Sequence, residues 1–294
     1  MERKLNLDVA KSVAIFEKLM NEIPPKKVLY RVIFRGKGLE FDGYRLYGQD
    51  EDASNIDWKA TLRAGFQLAR KYIEERDLNF MFVVDMGENM VFGSQEKLKC
   101  EIAVELIAAF SNVILNSGDR VGFILYNKEI FRIVLPKNGT KQFEIFVHEL
   151  SIAENYDGSS SLSNILEDLY KILPPKIDII VIVSDFIKVK EENRHFLEWL
   201  GNNYETIAIS IKDPLDISFP EINREIVIED PETGEKKLIN PRIAKMIYQS
   251  NSERKQKFIK RIFEDSNIDF LDIYTNDDFI FELAEFLKRR ATIV

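Results

Sequence analysis

Short, wholly apolar runs alternate along this chain with longer segments in which apolar residues recur every three or four positions. The clearest apolar runs, NFMFVVD (79–85) and IDIIVIVSD (177–185), each end at an aspartate. Runs of this length predict strands buried on both faces, and the helical period predicts amphipathic helices that cover them. The alternation therefore predicts an α/β fold built on a parallel sheet with helices on both faces.

The pattern places most elements after residue 77. Strands are predicted at 80–85, 120–127, 130–136, 177–185, 204–211 and 268–275. Helices are predicted at 94–117, 140–150, 161–173, 192–203, 240–264 and 276–290. Ser94 is the predicted N-cap of the first of these helices, because a serine hydroxyl can accept a hydrogen bond from the first helical turn. A β-hairpin is predicted as an insertion near 217–239, turning at DPETGE (230–235).

The segment before residue 77 has a different character. A helix predicted at 8–23 is stopped by two prolines. After it come a predicted strand at 27–36, short extended pieces rich in turn residues, and one helical turn near Trp58. On this basis we predict two domains. Residues 1–76 hold the N-terminal helix and a small β-rich subdomain, and residues 77–294 form the main α/β domain.

Composition narrows the classes of protein. The 294 residues carry a formal net charge of −8, and 45% of them are hydrophobic. Such a chain can bury a sizeable core, but it lacks the basic excess that general nucleic-acid binding requires. The one cysteine, Cys100, excludes an internal disulfide and a multi-cysteine metal cluster, and its helical context predicts a buried thiol. No uninterrupted apolar run of about 18 residues occurs, so no membrane span is predicted and the cytoplasm is the expected location.

Polar residues with cation-binding chemistry follow the predicted strands. Asp85 and Asn89 lie after the first apolar run, DGSSS occupies 157–161, and Asp185 ends the second run. Parallel strands bring such loops together at the carboxyl edge of a sheet, where the strand order reverses. Carboxylate, amide and hydroxyl oxygens suit a hard divalent cation. The alternative is structural: an aspartate at a strand end can cap a turn, and the serines can cap the next helix.

Five stretches, in this order, carry a family resemblance: GLEFDGYRLYGQDEDASNIDWKATLRAG, FVVDMGENM, GDRVGFILYN, IVIVSDF and IKDPLD. Over roughly residues 30–240 the chain resembles the domain of unknown function 58 family, whose members contain a von Willebrand factor A-like domain. NIDWKATLR and GDRVG are the most specific pieces. The resemblance implies a Rossmann-like, mostly parallel sheet with a metal-ion-dependent adhesion site at its edge.

In the family's pattern this site consists of Asp-x-Ser-x-Ser after the first strand, a threonine in a later loop and an aspartate after the fourth strand. Asp85 matches the first aspartate, Asn89 the second serine, and Asp185 the final aspartate. Ser160 matches the threonine position, with Ser159 as an alternative one residue away.

The match to this pattern is incomplete. Gly87 stands where the first serine belongs and removes a direct ligand, so the site is degenerate and we expect water in that place. The resemblance therefore implies a weakened Mg²⁺ site. Its ligands would be Asp85, Asn89, Ser160 and Asp185.

The resemblance also implies a role. In adhesion-type domains a carboxylate of the partner completes the coordination of the cation, and related proteins commonly act with MoxR-type AAA+ ATPases as adaptors or assembly factors. We therefore expect a non-enzymatic protein-interaction or assembly module with a protein partner. A MoxR-type ATPase is the partner that the resemblance suggests.

A metal-dependent hydrolase on the same fold is the alternative. It would need a general base or a nucleophile beside the cation. The two histidines, His148 and His195, lie in predicted amphipathic helices rather than at strand ends. Neither a G-x-S-x-G nucleophile elbow nor a P-loop occurs in the sequence. A third interpretation keeps the interaction surface and loses the cation, and the glycine at position 87 favours it.

Overall fold

A computed structural model describes residues 4–20, 39–48, 56–74, 77–160, 162–174, 176–218, 226–229, 236–239 and 241–292. The chain forms two compact units. The larger comprises Met1–Tyr30 and Leu78–Val294, and the smaller comprises Arg31–Asp77. The strand predicted at 27–36 and the hairpin turn predicted at 230–235 lie outside the described residues.

Helices and strands occupy most of the described residues, in the order that the sequence pattern predicts. The helices are α1 (Val9–Met20), α2 (Trp58–Ala64), α3 (Lys99–Asn116), α4 (Thr140–Ser151), α5 (Leu162–Ile172), α6 (Arg194–Asn203), α7 (Pro241–Asp265) and α8 (Phe279–Thr292). The strands are β1 (Leu39–Leu46), β2 (Leu68–Glu74), β3 (Asn79–Asp85), β4 (Arg120–Tyr126), β5 (Ile130–Lys137), β6 (Ile179–Ser184), β7 (Glu205–Lys212), β8 (Ile226–Glu229), β9 (Lys236–Ile239) and β10 (Asp269–Tyr274). β8 and β9 pair antiparallel, as a hairpin requires. Among the described helices, none is both long and apolar enough to cross a bilayer.

The smaller unit consists, in its described part, of an antiparallel strand pair and a short helix. β1 pairs with β2 along its length. Asp57 is the N-cap of α2, and its carboxylate accepts hydrogen bonds from the backbone N–H groups of Lys59 and Ala60, both at 3.0 Å. Gly65 ends α2 at φ 77°, a left-handed conformation that glycine adopts without steric cost. The strand pair is the small β-rich part that the sequence predicts.

A six-stranded sheet forms the centre of the larger unit, in the order β10-β7-β6-β3-β4-β5. Its pairs are parallel except β4–β5, an antiparallel hairpin at one edge. β3 has β4 on one side and β6 on the other, so the direction of winding reverses between β3 and β6. In open α/β sheets, ligands bind outside the carboxyl ends of the strands at such a reversal. The loops after β3 and β6 are therefore the expected place for a functional site.

Apolar side chains cover both faces of this sheet. On one face, residues such as Phe82 and Val181 pack with α1, α3, α4 and α8. On the other face, Val83 and Ile182 pack with α5, α6 and α7. Alternate residues of one strand thus enter opposite cores, which explains why β3 and β6 are apolar at successive positions. The arrangement confirms the predicted α/β class, with a mostly parallel sheet and helices on both faces.

The first helix belongs to the larger unit, so its predicted assignment to the N-terminal subdomain is wrong. The buried carboxylate of Glu105, in α3, accepts hydrogen bonds from the Asp8 backbone N–H at 2.5 Å and the Ser12 hydroxyl at 2.8 Å. Glu101, one turn earlier, accepts from the Asn6 backbone N–H at 2.5 Å. These carboxylates satisfy donors at the start of α1 and hold it against α3.

The helix α3 begins at Lys99 rather than at residue 94, so Ser94 is not its N-cap. The Ser94 backbone N–H and hydroxyl instead donate to the carboxylate of Asp213 at 2.7 and 2.6 Å. Glu101 supports the start of the helix by accepting from the Leu98 backbone N–H at 2.9 Å. Ser94 therefore bonds to a charged acceptor distant in sequence instead of capping the helix, because hydrogen bonds to carboxylates are stronger than those to neutral groups. This start puts Lys99 in the first turn.

Candidate functional site

The loop after β3 is built on Asp85, whose side chain is buried. Its Oδ1 accepts a hydrogen bond from the backbone N–H of Gly87 at 2.9 Å, which caps the turn. Its Oδ2 accepts from the Ser184 hydroxyl at 2.7 Å and from the Asn89 amide at 3.3 Å. Turn capping and the convergence of loops, which the sequence offers as alternatives, are thus both present. They use different oxygen atoms of one carboxylate.

The loop after β6 repeats this arrangement around Asp185. Its Oδ1 accepts a hydrogen bond from the backbone N–H of Ile187 at 3.1 Å. Its Oδ2 accepts from Asn89 Nδ2 at 3.0 Å and from Lys99 Nζ at 3.0 Å. Asn89 therefore links the two loops, because its amide nitrogen donates to the Oδ2 atoms of both Asp85 and Asp185.

Ser160 joins the same group from the loop before α5. Its hydroxyl donates to Asn89 Oδ1 at 2.8 Å. The neighbouring Ser159 instead accepts from the Lys188 ammonium group at 2.6 Å, so Ser160 is the serine that faces the amide. The four residues predicted from the sequence lie together around a cavity of about 60 Å³. We call this cavity the crevice, and the predicted residues that line it are Asp85, Asn89, Ser160 and Asp185.

Sequence analysis missed Lys99, which lies beside the crevice. Lys99 is 1% exposed, and its Nζ lies 3.0 Å from Asp185 Oδ2 and 3.1 Å from Asp216 Oδ2. Asp216 comes from the IKDPLD stretch after β7, where it also accepts from the Asp213 backbone N–H at 2.8 Å. The available signal was a lysine at the head of a long apolar segment, because a lysine is almost never fully buried without a partner.

Burial sets the electrostatics of the site. It raises the pKa of Asp85, and the negative charge of Asp185 raises that pKa further, against the hydrogen bond from Ser184 that lowers it. Burial alone would lower the pKa of Lys99, but the charges of Asp185 and Asp216 outweigh it and raise that pKa. Lys99 is therefore a charged ammonium group at neutral pH.

Gly87 packs too closely against its neighbours to leave room for a side chain. An added Cβ would lie 2.4 Å from Asn89 Oδ1 and 2.5 Å from Ser160 Cβ. Asn89 and Ser160 therefore lie directly against Gly87, and water in place of the missing serine stays a prediction.

The side-chain atoms around the crevice are not oriented as the ligands of a divalent cation would be. The nitrogen Nδ2 of Asn89, a hydrogen-bond donor, contacts the Oδ2 atoms of both Asp85 and Asp185. Asn89 Oδ1, the atom that would ligate a cation, accepts from Ser160. Ligation through that oxygen would require the amide to turn over and give up these three hydrogen bonds. The present arrangement fits an amide and an ammonium group better than Mg²⁺, and Mg²⁺ binding stays a prediction.

Comparison with known proteins identifies the family. Residues 43–257 match the family described as "Protein of unknown function DUF58". The chain belongs to this family. Among curated proteins, the DUF58 chain is similar to "Uncharacterized protein Rv1480" of Mycobacterium tuberculosis (strain ATCC 25618 / H37Rv). The two are 26% identical over 200 residues, which cover 68% of this chain and 62% of that protein. The DUF58 chain thus spans less than two thirds of the length of that relative.

Solved structures bear on the fold. The "conserved hypothetical protein BatB" from Bacteroides thetaiotaomicron aligns with a TM-score of 0.50 and 11% identity, over 73% of this chain and 99% of that one. The SpRpn10 VWA domain aligns with a TM-score of 0.44 and 13% identity, over 73% of this chain and 95% of that one. The likeness to BatB and the mostly parallel six-stranded sheet together give the larger unit of the DUF58 chain the von Willebrand factor A-like fold that the resemblance implied. At these identities the likeness shows the fold alone.

Proposed function

We propose that this DUF58 chain is a non-enzymatic protein-interaction or assembly module that binds its partner at the carboxyl edge of the larger sheet. The observation that supports this proposal is the crevice itself, where three loops meet at the reversal of strand order. Its described lining offers carboxylates, an amide and hydroxyls, together with apolar and lysine side chains. Such a set suits recognition, and the described lining contains neither a histidine nor a cysteine to act as a general base or nucleophile.

The surface around the crevice also suits a protein partner. Ile187 lines the crevice and is 43% exposed. Phe92 is equally exposed at 43%, and its ring centre lies 5.7 Å from the Lys99 ammonium nitrogen. Exposed apolar side chains beside desolvated polar groups are typical of the centre of protein interfaces.

A MoxR-type AAA+ ATPase is the partner that we propose, on the strength of the family resemblance. The family resemblance predicts that a carboxylate of that partner reaches the crevice through Mg²⁺, and the orientation of the Asn89 amide speaks against this bridge. A cytoplasmic location is part of the same proposal. The hydrolase alternative would be supported if the chain cleaved phosphoester or peptide substrates and lost that activity on Asp85→Ala.

Binding of a purified MoxR-type ATPase to the immobilised chain tests the proposal. Asp185→Asn should weaken binding at least about tenfold, because it removes the carboxylate that holds Asn89 and Lys99 at the crevice. Asp178→Asn is the matched control. Asp178 precedes the same strand at its opposite end, where its carboxylate accepts from the Asn79 backbone N–H at 2.9 Å. No binding of the wild type, or equal loss in both folded variants, would contradict the proposal.

A further inference from the structure

Two nitrogen donors of the protein lie against the carboxylate oxygens that a cation would bind. Asn89 Nδ2 lies 3.3 Å from Asp85 Oδ2 and 3.0 Å from Asp185 Oδ2. Lys99 Nζ lies 3.0 Å from the same oxygen of Asp185. We propose that the Lys99 ammonium group, together with the Asn89 amide, takes the place of the divalent cation in this crevice, so that the site keeps its form without a metal ion.

The charges of the crevice require such a partner. Asp85 and Asp185 are both buried, at 2% and 3% exposure, and two carboxylates so close together repel each other unless a positive group compensates. Lys99 supplies that group from the first turn of α3, where it pairs with Asp185 and also with Asp216. Removing one member of a buried ion pair leaves an uncompensated charge. A divalent ion bound to Asp185 Oδ2 would share that oxygen with an ammonium group, and the two cations would repel each other.

The packing of the crevice supports the same conclusion independently. The space beside Gly87 is occupied by Asn89 Oδ1 and Ser160, so a ligating side chain at position 87 would not fit there. Asn89 is held in its orientation by its bonds to Ser160 and both aspartates. In this orientation the amide nitrogen faces the carboxylates and the amide oxygen accepts from Ser160, which is the reverse of what metal ligation needs. The assignment of Lys99 and Asn89 as the groups that replace the cation therefore rests on geometry, and its consequence for partner binding rests on the proposed function.

Thermal melting and calorimetry of the full chain, treated with chelator and then titrated with Mg²⁺, test the inference without any partner. A metal site filled at a hundred times its dissociation constant would raise the melting temperature by about 5–10 °C. We expect no rise in the wild type and no saturable heat of binding. A saturable rise that Asp85→Asn abolishes would overturn the inference.

Variants of Lys99 separate its charge from its packing. Lys99→Met should lower the melting temperature by about 10 °C, and Asp185→Asn in the same chain should restore part of it by removing the unpaired carboxylate. Lys212→Met is the matched control, because Lys212 is also buried but pairs with Asp272 at 2.6 Å. Asp185→Asn should not rescue that variant. If Asp185→Asn rescues neither variant, the inference is overturned. If Lys99→Met does not fold, the Mg²⁺ titration of the wild type still decides the question.

The two proposals fail in different ways. One pair of results would overturn the metal-free site and leave the interaction module standing. In that case the isolated chain binds Mg²⁺ saturably, and its binding to the MoxR-type ATPase disappears when Mg²⁺ alone is withdrawn. Absence of binding in both buffers would overturn the interaction with this partner, and the Mg²⁺ titration would still decide the charge assignment.

Discussion

Replacing Gly87 by alanine probes the packing of the crevice with a single methyl group. Gly87 has φ −79° and ψ 164°, a conformation open to alanine, so backbone strain plays no part. The added Cβ would lie 2.4 Å from Asn89 Oδ1 and 2.5 Å from Ser160 Cβ. These distances are about 1 Å shorter than ordinary contacts between non-bonded atoms. Asn89 and Ser160 must therefore move together.

The expected cost follows from these contacts. Overpacking of a close-packed region costs about 1–3 kcal/mol. Displacing Asn89 also weakens its bonds to Ser160 at 2.8 Å and to Asp185 at 3.0 Å, each worth about 1 kcal/mol. We expect Gly87→Ala to lower the free energy of unfolding by about 2–4 kcal/mol. The melting temperature should fall by about 5–15 °C.

Urea unfolding followed by circular dichroism measures this cost, as a lower midpoint with an unchanged m-value. Ser160→Gly removes the Cβ that the new methyl group would meet. The double variant Gly87→Ala, Ser160→Gly should therefore be more stable than additivity predicts by about 1 kcal/mol or more. A Gly87→Ala chain within about 0.5 kcal/mol of the wild type, or strict additivity in the double variant, would refute the packing described for the crevice.

Three further predictions concern features outside the crevice. Glu105→Leu should lower the free energy of unfolding by about 3 kcal/mol. It should also selectively speed amide hydrogen exchange in α1, because Asp8 N–H and the Ser12 hydroxyl lose their acceptor. Unchanged exchange in α1 would contradict this prediction. Cys100 should resist thiol reagents in the folded chain, because burial raises its pKa to about 12, and reaction as fast as in denaturant would count against this. Asp57→Ala should destabilise the smaller unit by about 1 kcal/mol, measured by hydrogen exchange in α2. Asp57→Asn, which retains a capping oxygen, serves as its control.

The sheet and most of the site could be predicted because their signals are local. β3 and β6 are apolar throughout and end at aspartate, and the rules of parallel sheets bring such ends to one edge. Asp85, Asn89, Ser160 and Asp185 each follow a strand or a turn in a recognisable order. Their meeting in one crevice therefore follows from topology, and no knowledge of side-chain packing is needed to expect it.

What could not be predicted depends on contacts between residues distant in sequence. Ser94 has the chemistry of an N-cap, but Asp213 binds it from a separation of 119 residues. Because the predicted helix starts at residue 94, Lys99 falls inside it, and the pattern gives no sign of its carboxylate partners. The position of α1 likewise depends on the buried Glu105, 97 residues from Asp8. Hydrophobic periodicity predicts which face of a helix is apolar, but it does not predict which surface of the protein that face packs against.

The two oxygens of each crevice aspartate have separate tasks. In Asp85 and Asp185, Oδ1 closes the local turn, and Oδ2 alone meets the amide of Asn89. A lineage that abandoned metal would still need both carboxylates to keep its loops folded, so selection would preserve them for that reason alone. Counting aspartates in an alignment would then overstate how many members of such a family use a metal. In such a lineage the hydroxyl positions, such as the one held here by Gly87, would be the better record of the loss.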